Sequence, residues 1–98
     1  MLPNDGPEEF EWDDEKAEAN LAKHGVPFEL AAEVFSDPDR LDVGDDRFAY
    51  GEERRNAVGA VEGAVLTVSY TMRGDICRII SARRASRKER DAYGDRSI

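Results

Sequence analysis

One cysteine and one histidine are all that this 98-residue chain holds of the two side chains that build most structural metal sites. A single thiol forms no internal disulfide, so nothing implies an oxidising compartment. One His and one Cys also fall short of the four ligands of a structural zinc site. Cys77 alternates with isoleucines and reads as a small buried apolar residue. No run approaches the ~18 apolar residues that a membrane span needs. The opening MLPNDGPEEF lacks the basic start and apolar stretch of a secretion signal, so a cytoplasmic location without a membrane partner is expected. There is no P-loop, dinucleotide fingerprint or nucleophile elbow. SDPDRLDVG is acidic, but Leu41 and Asp42 stand where a calcium loop needs a ligand and a glycine. No metal and no cofactor are expected.

What is present is charge, unevenly placed. Residues 1–53 carry 4 basic and 17 acidic side chains, a balance of −13; residues 54–98 carry 10 and 5, a balance of +5; together they give the formal −8. Six basic residues fall between Arg78 and Arg90, in CRIISARRASRKER and its neighbourhood. Such asymmetry points to a basic working surface on an acidic body. A chain this short has one small core and buries roughly 60–65% of its unfolded surface, so its site should be a surface groove.

Residues 1–9 read as a loose tail and 10–98 as one domain. Phe10 to Trp12 is a short strand candidate. Asp13 caps a helix that carries Ala17, Leu21 and His24 and stops at Gly25. A second helix is expected from Pro27 to Phe35, with Phe28, Ala31, Ala32 and Phe35 as its apolar stripe. Arg40 to Val43 suits a short strand, followed by an acidic loop in GDDRFAYGEE. Strands at 54–61, 64–72 and 76–84, joined by the compact turns Glu62-Gly63 and Arg73-Gly74-Asp75, should pair as an antiparallel meander. Strict alternation in the last strand puts Cys77, Ile79 and Ser81 on one face and Arg78, Ile80 and Arg84 on the other. SRKE, Ser86 to Glu89, is a capping box that opens a helix running to about Tyr93. The fold class is therefore α+β: a short strand, two helices, a meander and a terminal helix. Both early helices lie on one sheet face, and the other face is left for a ligand.

The planar fork of arginine matches two phosphate oxygens and stays charged at any relevant pH. Several on a rigid sheet can hold an RNA backbone and stabilise charge developing on a scissile phosphate. RNA brings its own nucleophile, the 2′-hydroxyl, so cleavage needs only a base, an acid and anion stabilisation. His24 is the one side chain of a type that titrates near neutrality, with Lys23 beside it and Glu52 a candidate base. Plainer roles stay open at this point. His24 can simply face the negative helix end, Lys23 and the helix residues Arg87, Lys88 and Arg90 can be solvated, and Arg54, Arg78, Arg83 and Arg84 can pair with the abundant carboxylates.

FEWDDEKAEANLAKHGVPFELAAEVFSDP, then GEERRNAVG, then YTMRGDICRIISARRASRKERDAY closely resemble, in order and spacing, the BrnT family of toxins from type II toxin–antitoxin systems. The resemblance spans about Phe10 to Tyr93. It implies a compact RelE-like ribonuclease fold and growth arrest through RNA cleavage. It also implies a BrnA-type antitoxin partner, through which alone operator DNA would be bound, and it leaves a homodimer or a heterotetramer with the antitoxin open. Carried over residue by residue, the family pattern covers Lys23, His24, Glu52, Arg54, Arg78, Arg83 and Arg84. Arg84 with Arg87 and Lys88 would then contact RNA, and the others would serve the reaction. Two departures stand out: family members are often neutral or basic, and Arg55 and Asn56 replace the usual apolar residues after the motif arginine. The rival function is a non-catalytic interaction module whose basic strand and helix dock an antitoxin or another acidic partner.

Overall fold

The computed structural model of this chain describes residues 6–49 and 52–96, without the side chains of 45–52 and 95–98. In chain order the elements are β1 (Glu9–Glu11), α1 (Asp14–His24), α2 (Phe28–Ala32) with a 3₁₀ turn at Glu33–Ser36, β2 (Leu41–Ala49), β3 (Glu52–Val61), β4 (Ala64–Arg73), β5 (Ile76–Arg84) and α3 (Arg87–Arg96). The strands form one sheet in the order β1-β5-β4-β3-β2. β3 to β5 are the expected meander; β2 extends it antiparallel to β3, and β1 adds on parallel to β5, with Phe10 opposite Cys77.

Local chemistry explains most boundaries. Asp13 Oδ1 accepts the backbone N–H groups of Glu15 and Lys16 at 2.9 and 3.1 Å, which starts α1. Gly25, at φ 73°, ends it by donating its N–H to the Leu21 carbonyl. Glu62 and Gly63 both take positive φ, as a two-residue hairpin turn of type I′ requires. The second helix tightens after Ala32 into the 3₁₀ turn, so Val34 joins Phe28, Ala31 and Phe35 in the core while Ala32 is only half-buried. The acidic stretch expected as a loop instead continues β2 through Ala49, paired to β3. Tyr50 and Gly51, also expected in that loop, lie outside the described residues.

α1 and α2 cover one face of the sheet. The core there joins Val26, Phe28, Ala31, Val34 and Phe35 to Ala57, Val61, Leu66, Val68, Tyr70, Cys77, Ile79 and Ala82. Phe35 stands edge-on to Tyr70, with ring centres 4.9 Å apart, and touches Phe10 at 5.6 Å. Such pairs add about 0.5–1.5 kcal/mol beyond area burial.

β1 and β2 are too short to cover the full length of their neighbours, and side chains finish the edges. Beyond the end of β1, Asn20 of α1 accepts the Ala82 N–H at 3.1 Å and donates to the Ala82 and Val26 carbonyls at 2.8 and 3.0 Å. Before the start of β2, Asp37 Oδ2 accepts the Ala60 N–H at 2.8 Å and the Tyr93 hydroxyl at 2.6 Å. Both clips satisfy backbone groups that would otherwise be open. None of the described helices is long and apolar enough to cross a membrane.

Candidate functional site

One residue in β5 decides what the second face of the sheet presents. Tyr70 pairs with Ile79 and Ser69 with Ser81, so Ile80 is bulged out of the ladder. From there on the alternation slips by one. Ala82, not Ser81, joins Cys77 and Ile79 on the helix face, and Arg83, not Arg84, joins Arg78 on the other. The face assignment expected from strict alternation is corrected accordingly. Arg84 pairs with Leu66 and projects, exposed, at the end of the helix face.

Cross-strand pairing lays out the second face in rows. One row runs from Thr71 to Arg78 and Glu11, and alternation puts Arg54 on this face beside Thr71. The next holds Asn56, Ser69 and Ser81, with the Ser69 hydroxyl donating to Asn56 Oδ1 at 2.7 Å. The third holds Val58, Thr67 and Arg83, and α3 is docked here: Glu89 accepts the Thr67 hydroxyl at 2.9 Å. The face expected to be open is therefore covered at one end.

The arginines differ in their engagements. Arg78 Nη1 donates to Glu11 Oε2 at 2.6 Å, and Arg73 approaches the same oxygen at 3.7 Å. Arg83 holds Glu89 with both branches of its fork, at 2.7 and 3.0 Å. Glu89 also accepts the Ser86 N–H at 2.7 Å, closing the capping box seen in the sequence. Its carboxyl is pulled down to about 2, chiefly by Arg83, with burial opposing and the Ser86 and Thr67 donors assisting. Arg54 is half-buried, and its guanidinium has no hydrogen-bond or ion-pair partner among the described residues. Its neighbour Arg55 faces the other way, bound to Asp42 at 2.8 Å in a cluster completed by Glu53 and the Tyr70 hydroxyl.

His24 and Lys23 come to the same strand from the opposite flank. They line an open groove of about 230 Å³ between α1 and β5, with Lys16, Ala19, Asn20, Ile80 and Ser81. The groove lies where β1 has ended and the Asn20 clip has not yet begun. Ser81, in its wall, belongs to the middle row of the second face, so groove and arginine rows meet along β5. Of the residues singled out from the sequence, Arg54, Arg78 and Arg83 share one face and His24 and Lys23 border it. Arg84 stands apart, Arg87 and Lys88 are exposed on α3, and the side chain of Glu52 lies outside the described ones. Among the described residues, no three His, Cys, Asp or Glu side chains are grouped to hold a metal ion.

A model of the BrnT family, ribonuclease toxins of type II toxin–antitoxin systems, matches residues 12–89. The chain belongs to the BrnT family. No curated protein matches it. Membership makes it a ribonuclease toxin by family, with an antitoxin as partner, and the matched stretch takes in every element from α1 through β5. Sequence reading missed three polar members of this BrnT surface. Lys16 carried a readable signal, since it lies seven residues before Lys23 on α1 and so on the same helix face. Ser69 and Asn56 carried none, because only the strand register brings them together.

Proposed function

We propose that this BrnT-family chain is an endoribonuclease that cleaves RNA by attack of the 2′-hydroxyl on the adjacent phosphate, arresting growth in the cytoplasm until a BrnA-type antitoxin covers it. The bond from phosphorus to the 2′-oxygen forms and the bond to the 5′-oxygen breaks. One proton leaves the 2′-hydroxyl and another reaches the departing 5′-oxygen. RNA supplies the nucleophile, so the chain's own task is to hold the phosphate, stabilise its added charge and move those protons. In this reading Arg54, Arg78 and Arg83 hold the phosphates over the second face. His24, Lys23 and Glu52 are the candidates for proton transfer, and Arg84, Arg87 and Lys88 contact flanking phosphates. Operator DNA is bound only through the antitoxin, with the toxin entering as a homodimer or within a heterotetramer.

The observation that carries the reading is the shared face of Arg54, Arg78 and Arg83, bordered along β5 by His24 and Lys23. Substrate phosphate has to displace Glu11 from Arg78 and Glu89 from Arg83. These pairs are part-buried and worth about 1–2 kcal/mol each, a cost that contacts with several phosphates of a polyanion can offset. Expression of the protein alone in a bacterium tests it. Growth arrest with RNA breakdown is expected, and should disappear in an Arg78→Ala/Arg83→Ala double variant; cleavage that survives both substitutions sinks the mechanism.

The second reading is a docking module without catalysis. The same ion pairs favour it, since they show both arginines satisfied by carboxylates, as an acidic partner segment would satisfy them. It predicts tight binding to the antitoxin and normal growth when the folded protein is expressed alone.

A further inference from the structure

The groove between α1 and β5 gathers the basic side chains of an otherwise acidic stretch. Residues 1–39 contain 12 carboxylates and only two lysines, Lys16 and Lys23, with the chain's single histidine, His24. All three line this one groove. The helix face that carries them is fixed by Asn20, which lies on the same face and grips both backbone groups of Ala82. The opposite wall is fixed as well, because the Ile80 bulge sets Ser81 there. Two cations, a titratable imidazole and a hydroxyl are thus held around an apolar patch formed by Ala19 and Ile80. The groove is open to solvent, with about 230 Å³ of space beside these side chains.

We infer that this groove is a phosphate subsite for single-stranded RNA, with Lys16 and Ser81 as contacts that supplement the sheet arginines and hold the nucleotide neighbouring the one over the arginine rows. The inference rests on the reading of this surface as RNA-binding, but not on cleavage. Lysine suits the place because its ammonium is a mobile point charge that tracks a backbone phosphate without demanding a planar partner. The strand would cross β5 at the gap in edge pairing and continue onto the face that carries Arg78 and Arg83.

The test uses a fluorescently labelled, cleavage-resistant 2′-O-methyl oligoribonucleotide and the full chain, with affinity read by anisotropy over a series of salt concentrations. Each phosphate contact on a single strand contributes about 0.7 to the slope of log affinity against log salt. Lys16→Gln, at an exposed position, should lower the slope by about 0.7 and weaken binding roughly five- to tenfold, while Lys16→Arg restores both. Ser81→Asp, which sets a carboxylate in the groove wall, should weaken binding by more than about tenfold, with circular dichroism confirming the fold. Unchanged slope and affinity in Lys16→Gln would overturn the subsite, and so would a folded wild-type chain that does not bind the oligonucleotide. Binding that depends on Lys16 in a protein that leaves ordinary RNA intact would uphold the subsite and refute the ribonuclease reading.

Discussion

Glu89→Gln separates the charge of one carboxylate from its shape. Glu89 receives two guanidinium branches, one backbone N–H and one hydroxyl, so it joins α3 to β4 and β5 at a single point. Its folded carboxyl sits at about 2, against an ordinary value of 4.5. That difference corresponds to an upper bound of about 3 kcal/mol. The Arg83 side chain is 43% exposed, so solvent screening lowers the expected contribution to about 1–2 kcal/mol. The sign follows from linkage: a depressed folded value gives stability that is fully present above about pH 4.5 and is lost as the pH falls towards 2. Urea unfolding at pH 7 should therefore show the glutamine variant about 1–2 kcal/mol less stable, and its melting point about 4–16 °C lower. Near pH 2 the gap should have shrunk to a small fraction, because the native wild-type carboxyl is then about half protonated. Equal stability at pH 7, or a gap that persists undiminished to pH 2, would refute the assignment of Glu89 as the charged hub of α3 docking.

Asn20→Ala should cost about 2–4 kcal/mol in urea unfolding, because it leaves the Ala82 N–H and the Ala82 and Val26 carbonyls without their partner. Gly25→Ala should cost about 1 kcal/mol by the same assay: an added Cβ meets nothing within 4 Å, so only the φ of 73° opposes it. Cys77 is fully buried, and burial with the nearby Asp42 charge pushes its thiol up to about 12, so a thiol reagent at pH 8 should label it in urea and not in the native protein.

The elements were legible in the sequence wherever the signal was local. Asp13 and Gly25 mark both ends of α1, Glu62-Gly63 marks a hairpin, and Ser86 with Glu89 marks the start of α3; each acts on backbone within a few residues of itself. The site was legible by residue type and not by geometry. The Ile80 bulge is set by contacts from far along the chain, with Asn20 holding the Ala82 backbone while Ala82 itself packs under the helices. Nothing within residues 76–84 announces it, and yet it decides that Arg83 rather than Arg84 stands beside Arg78. Glu89 shows the same limit, since its capping role is local whereas its grip on Arg83 and Thr67 depends on where α3 docks.

The net charge of −8 is a poor guide to this surface, and the structure gives the reason. Two of the carboxylates, Glu11 and Glu89, are placed directly against Arg78 and Arg83, so part of the acidic excess masks the basic face locally. Other carboxylates are held away from it: Asp37 clips the edge of β3, and Asp42 is bound to Arg55 in the cluster on the helix face. Carboxylates whose charge is taken up by such partners weigh less on a phosphate at the second face than free ones would. What a phosphate meets is Arg54 unpaired by any described residue, two arginines behind exchangeable ion pairs, and the two lysines of the α1–β5 groove with His24 beside them. On the proposed reading, an acidic protein keeps a face for a polyanion because the carboxylates nearest to it are bound to the same arginines the ligand would take.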